Sequence, residues 1–283
     1  MTFELWRLRF GFHAAQSLFF PPGKAANVLR GAFGMLLRET ASPAEYARIF
    51  APVASGAEGP SGFADRPRPF VFRAAHLDGK TIPAGAAFHF DMHLFDAAHA
   101  GSPAFEEAYA RLAEAGLGPG RGRATLAAVD KEHFAIALDG PAESATRVRV
   151  TFLTPTELKS RDLEGGARRG AARPAFAILF ARLRDRISTL RALYGSGPLD
   201  IDFRAMGERA GGVRLTRCDL QWTSAARRSS RTGQTHPLGG FTGAAEYEGD
   251  VGEFRPSLRA GQWTGVGRQT VWGKGEICFQ VCS

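Results

Sequence analysis

Strand-like and helix-like periodicities succeed one another in the same order twice along this chain, and that repeat limits the fold more than any other feature. In the first half, residues 3–12 alternate, with Phe3, Leu5, Arg7 and Arg9 set against Trp6, Leu8, Phe10 and Phe12, which predicts a strand. Pro21-Pro22-Gly23 breaks it, and residues 24–39 then space Ala26, Val28, Leu29, Phe33, Leu36 and Leu37 as the buried face of a helix. Two strands are expected over 69–75 and 87–95. A helix opens at Ser102-Pro103 and runs to about Gly116, and a last strand covers 125–138. The second half repeats the series. A strand over 147–153 precedes a helix over 174–194 whose apolar face is Phe176, Leu179, Phe180, Leu183, Ile187, Leu190 and Leu193. Strands over 213–223 and 241–247, a helix near 251–260 and a strand over 276–281 follow. The order β-α-β-β-α-β is the split βαβ, ferredoxin-like unit. The expected fold class is therefore α+β, two tandem ferredoxin-like domains, residues 1–144 and 145–283, joined near 142–146. A chain of 283 residues with 44% hydrophobic content is long enough for two such cores.

Both halves place glycines between their last helix and last strand. Gly118-Pro119-Gly120-Arg121 answers Gly265-Val266-Gly267-Arg268, and the second loop continues Gln269-Thr270-Val271-Trp272-Gly273-Lys274-Gly275. Glycines leave no Cβ between backbone N–H groups and a ligand, so Gly265, Gly267, Gly273 and Gly275 suit close backbone approach. Arg268 and Lys274 add two cations, so the expected ligand is anionic. The phosphate loops of nucleotide enzymes are excluded. A Walker loop needs Gly-Lys followed by Ser or Thr, and here Gly275 follows Lys274. A dinucleotide fingerprint needs a third glycine where Thr270 stands, then a further helix and strand. What remains is a basic loop beside a strand, suited to a nucleic-acid backbone.

The charge distribution points the same way. The net charge is +8, yet residues 1–145 hold 14 Lys and Arg against 15 Asp and Glu, whereas residues 146–283 hold 22 against 13. Twenty of those 22 cations are arginine, which pairs with phosphate through a planar fork and stacks on bases. Arg227, Arg228 and Arg231 cluster in a Ser/Thr/Gly-rich connector with His236, and a basic glycine-rich stretch at 165–170 precedes the second-half helix. Three cysteines make no disulfide framework, and no histidine stands near Cys278 and Cys282 to complete a metal site. With no basic leader before an apolar run and no stretch of about twenty apolar residues, a cytoplasmic protein without a membrane span is expected.

Three stretches, taken in order, carry a resemblance. The first is Leu29-Arg30-Gly31-Ala32-Phe33-Gly34 in the first helix. The second runs from Arg227 through His236-Pro237-Leu238-Gly239-Gly240-Phe241 to Tyr247-Glu248-Gly249-Asp250. The third is the glycine-rich segment 263–275. Together they make the chain resemble the RAMP superfamily of CRISPR-associated proteins, and within it the precursor-crRNA processing endoribonucleases, the sixth Cas family. The resemblance implies a two-domain cleft for the repeat RNA of precursor crRNA, with CRISPR effector subunits as further partners. The expected state is a monomer or homodimer. It also implies metal-independent cleavage without a cofactor: the RNA's own 2′-hydroxyl attacks the adjacent phosphate, leaving a 2′,3′-cyclic phosphate and a 5′-hydroxyl. That reaction calls for a base near the 2′-oxygen, a cation near the phosphate and an acid for the leaving oxygen.

For RNA contacts the expected residues are Arg227, Arg228, Arg231, His236, Gly265, Gly267, Arg268, Gly273, Lys274 and Gly275. Backbone and single-strand contacts are expected, because the A-form major groove is too narrow for side-chain readout. In the family the active site lies near the first helix, often with a histidine. This chain departs from that pattern, since no histidine occurs between His13 and His76 and Met35 occupies the helix. The catalytic candidates are His13, Lys24 and Tyr46, with Arg30 and Arg48 nearby, and His13 is the only histidine among them. The missing helix histidine keeps open a non-catalytic RAMP protein that binds crRNA as a structural subunit of an effector complex.

Overall fold

The computed structural model describes residues 1–52, 66–139, 144–158, 173–223, 226–228, 235–237 and 239–282. The expected basic stretch at 165–170, Arg231 and residues 142–143 of the expected junction lie outside them. The chain runs β1 (Thr2–Ala14), β2 (Leu18–Phe19), α1 (Ala25–Thr40), α2 (Pro43–Ile49), β3 (Phe70–Arg73), β4 (Thr81–Ile82), β5 (Ala87–Leu94), α3 (Ala104–Ala110), α4 (Leu112–Ala115) and β6 (Ala124–Ala137). It continues β7 (Arg147–Thr156), α5 (Phe176–Tyr194), α6 (Phe203–Gly211), β8 (Arg214–Thr223), β9 (Ala226–Arg228), β10 (Thr235–Pro237), β11 (Gly240–Glu248), α7 (Arg255–Thr264) and β12 (Ile277–Val281).

Two four-stranded antiparallel sheets result, ordered β3-β5-β1-β6 and β12-β7-β11-β8. Each has its first strand in the middle beside its third, with the fourth and second at the edges. That is the ferredoxin-like order, twice. Alternation along β1 decides what each sheet face meets. Leu8, Phe10 and Phe12 turn toward α1 and α3, where Phe33 and Tyr109 complete an aromatic core with Phe88 and Phe90. Each such ring buried contributes about 1.5–3 kcal/mol. Phe3 and Leu5, on the other face, pack with Val71 and Phe95 against Ile187, Leu190, Leu199 and Ala260 of the second half.

One helix serves two cores. Phe176, Leu179, Phe180 and Leu183 of α5 belong to the second-half core, while Ile187 and Leu190 belong to the interface between halves. α7 begins and ends later than the expected 251–260. A proline in its first turn and Gly265 at its end, with φ +69°, mark the true limits, and a short 3-10 turn at Gly252–Phe254 leads in. The expected helix from Ser102 is broken at Arg111 into α3 and α4.

The internal repeat of the loops survives with its register moved by two residues. Gly116 and Gly265 both cap helices with φ near +70° and extended ψ (162° and 175°), and Leu117 and Val266 follow as buried residues. The Leu117 N–H then donates to the Gly122 carbonyl (2.7 Å), as the Val266 N–H donates to that of Gly275 (2.8 Å). Gly116-Leu117-Gly118 is thus the counterpart of Gly265-Val266-Gly267. Three residues separate Gly118 from Gly122, but seven separate Gly267 from Gly275, and those extra residues reach the other half.

Candidate functional site

The glycine loop leaves α7 and crosses onto α1. Its backbone is engaged with its own chain: Gly265 N–H donates to Gly261 O (2.8 Å), Arg268 N–H to Glu157 O (3.1 Å), Gly273 N–H to Thr270 O (3.0 Å) and Gly275 N–H to Pro155 O (3.1 Å). The close approach foreseen for a ligand is therefore made first by the protein itself. A Cβ on Gly275, whose φ is +73°, would run into the Val266 carbonyl, and one on Gly273, at φ +85°, into the Ala26 methyl of α1. Gly273 is a point of contact between loop and helix. Beside it, the Arg30 guanidinium of α1 lies over the Trp272 ring of the loop at 5.7 Å and over Phe50 at 4.8 Å.

The two loop cations differ. Arg268 is 59% exposed in its side chain and donates to Glu157 Oε1 at 3.0 Å. Lys274, expected to reach a phosphate, is 3% exposed instead. Its Nζ donates to Gly239 O (2.7 Å), Gln269 Oε1 (3.0 Å) and Glu157 Oε2 (3.1 Å). Burial pulls this ammonium below the ordinary lysine range, and Glu157 opposes that shift. Gln269 stands in the left-handed region at φ +61°. Of the basic hairpin, the backbone shows β9 and β10 paired antiparallel, His236 opposite Arg227 and Thr235 opposite Arg228.

The carboxyl end of α7, from which the loop starts, is held by both halves. Arg73 of β3 donates through Nη2 to Gln262 O (3.2 Å) and Trp263 O (2.9 Å), His93 of β5 through Nδ1–H to Trp263 O (3.0 Å), and Arg186 of α5 through Nε to Thr264 O (3.0 Å). The last carbonyls of a helix have no partner within it and carry partial negative charge, so donors and cations belong there. All three side chains are buried. Burial, and then the Arg73 charge, push the His93 pKa to about 3.

The three catalytic candidates are not brought together. His13 is exposed near the end of β1, which runs on to Ala14, and it shares the outer sheet face with Arg7 and Arg9 rather than the α1 face. Lys24 is the N-cap residue of α1. Tyr46 stands on α2 with its ring 5.6 Å from Phe50, which fills the space above Gly34, about 15 Å along α1 from Lys24. Arg48 is paired with the buried Asp96 at 2.6 Å. Residues not foreseen at this end of α1 are Asp78, which accepts from Ala25 N–H at 2.8 Å, and His76. Burial raises the Asp78 carboxyl, the backbone donors opposing it. The His76 ring stacks on that of His89 at 4.8 Å, and its Nε2–H donates to the His89 carbonyl at 2.8 Å. Desolvation, then the His76 and Arg9 charges, lower the His89 pKa. A histidine at the helix could have been sought one turn beyond the strand β3, where the sequence does place His76.

Among the described residues no group of three or more His, Cys, Asp or Glu could hold a metal ion, and no helix is long and apolar enough to cross a membrane. Two ferredoxin-like units joined face to helix, with the second unit's glycine loop laid on the first unit's first helix, make up a RAMP-like fold. Residues 150–277 match the family model of the CRISPR-associated endoribonuclease Cas6, and residues 3–144 match an N-terminal-domain family, AF_1859_N. The chain is similar to the Cas6 endoribonucleases over residues 150–277, a little under half of its length.

Solved structures agree on the fold. A Thermus thermophilus Cas6 product complex superposes with TM-score 0.63 at 18% identity, covering 98% of this chain and 100% of that one. A second Cas6 product complex gives 0.58 at 17%, covering 98% and 99%. The partial Cas6-RT-Cas1–Cas2 complex gives 0.63 at 11%, covering 99% of this chain and 46% of that one. No curated protein matches in sequence.

Proposed function

We propose that this chain matures CRISPR RNA, binding the repeat of the precursor and cutting one phosphodiester in it without a metal ion. The 2′-oxygen forms a bond to phosphorus as the bond to the 5′-oxygen breaks. A base takes the 2′-hydroxyl proton, and an acid returns one to the leaving oxygen. The observation that supports this reading best is the loop-on-helix contact, Gly273 on Ala26 and Trp272 beside Arg30, which joins the basic half to the first helix. Arg268, Arg227, Arg228, Arg231 and His236 are our candidates for the RNA backbone, and His13, Lys24 and Tyr46 for acid–base and cationic help. The same reading divides the chain at 144/145, places it in the cytoplasm as a monomer or homodimer, and gives it CRISPR effector subunits as neighbours.

The test is incubation of purified protein with its repeat RNA in EDTA. One cut leaving a 2′,3′-cyclic phosphate is expected, and His13→Ala should slow it by at least about a hundredfold, the lower range for a positioned acid–base group. A His13→Ala rate near wild type would move the assignment to His76. The separation of His13, Lys24 and Tyr46 favours a second reading, a non-catalytic crRNA-binding subunit. Tight repeat binding with no cut, in EDTA or in added magnesium, selects it.

A further inference from the structure

We infer that Lys274 is a positioning residue and not a phosphate ligand: its ammonium ties three separate segments together and so presents Arg268 outward. The inference rests on the RNA-binding reading above and assigns the two loop cations different tasks.

An ammonium has three N–H donors. Those of Lys274 meet three acceptors from three places, Glu157 just after β7, Gly239 just before β11, and Gln269 at the loop tip. A phosphate oxygen would be received only by giving one of these up, from a side chain 3% exposed. Val266 and Lys274 are the central residues of the two Gly-x-Gly limbs, and both are buried. Val266 fills its place with an apolar side chain, whereas Lys274 fills the matching place with a charge and satisfies it completely.

The bond to Gln269 holds a residue whose backbone is left-handed, a conformation that residues with a Cβ resist. That turn sets the direction of Arg268, which is exposed and reaches Glu157 through the oxygen Lys274 does not use. The bond to Gly239 fixes the start of β11, where the connection from β10 enters the sheet. One ammonium therefore sets both the loop tip and the base of the hairpin.

The experiment pairs amide hydrogen exchange on the free protein with anisotropy titrations of a short fluorescein-labelled single-stranded oligoribonucleotide at several salt concentrations. Lys274→Met should fold, by circular dichroism, yet exchange faster both at 265–275 and at 239–241. It should bind RNA roughly tenfold more weakly, the scale of one buried polar group left unmatched. Arg268→Ala should lower the slope of log affinity on log salt by roughly 0.7, one phosphate contact. Added to Arg268→Ala, Lys274→Met should lower the slope no further, and a further fall of about 0.7 would make Lys274 a phosphate ligand and overturn the inference. Unchanged exchange at either segment also overturns it. Should Lys274→Met fail to fold, Glu157→Ala must produce the paired rise in exchange, and a rise confined to one segment refutes the tie. A wild-type protein without salt-dependent RNA binding defeats the RNA reading alone, because the exchange data still decide the role of Lys274.

Discussion

His93 shows how a partner far away in sequence decides what a histidine is. His89 and His93 share one strand face, yet His89 is exposed and His93 is buried against Trp263, 170 residues on, with ring centroids 4.8 Å apart. With a folded pKa near 3 against an ordinary 6.5, the native state refuses a proton that the unfolded chain accepts. This contribution to stability is fully present above about pH 6.5. It is lost as pH falls toward 3, by roughly 1.4 kcal/mol per pH unit. Urea unfolding from pH 7 to 4 should therefore be less steep in pH for His93→Gln, which cannot titrate, than for wild type. Equal steepness would mean that His93 is not the proton-refusing group. The spacing of two histidines on one strand was legible. Their opposite burial was not, because it depends on which stretch of β5 the second half covers.

Among the elements, the glycine-rich loop and α1 give two glycine substitutions opposite signs. Gly275→Ala must hold φ +73° and push aside the Val266 carbonyl, so it should destabilise by about 1–3 kcal/mol. Gly31, an exposed interior position of α1 with nothing within 4 Å, should gain about 0.5–1 kcal/mol on replacement by Ala. Guanidinium unfolding of both variants checks the pair, and a Gly31→Ala protein that is more stable but binds RNA worse would mark that surface as a contact. The strands and the main helices were readable because their periodicities are long. Short α2 and α6 were passed over although their caps are plain in the chain. The Ser42 hydroxyl accepts from Glu45 N–H ahead of Pro43, and the Asp202 carboxylate accepts from Arg204 and Ala205 N–H. The loop repeat was visible too, but its register followed Gly-x-Gly-Arg spelling, whereas the fold follows the glycine that ends each helix.

At the scale of the whole molecule, each half has its own apolar cluster and a third cluster lies between them. Leu190, buried in that third cluster and absent from the second-half core, is the place to pry the halves apart. Leu190→Asp buries an unpaired charge at the interface alone. Calorimetry should then resolve two unfolding transitions where the wild type shows one, and a single transition would mean that the halves unfold as one unit whatever lies between them. Charge counting located the basic half, yet nothing in the even apolar stripe of α5 signals that its first turns and last turns face different partners.

The capping of α7 has a consequence for how the chain is made. Arg73 and His93 belong to the half that leaves the ribosome first, and domains generally fold in that order. When Gln262 and Trp263 emerge, the donors that finish their helix already stand in a formed sheet, so the newborn glycine loop starts from a surface built before it. A polypeptide translated in the reverse order of halves would carry the same residues and the same contacts, but its loop would have to wait for its own foundation.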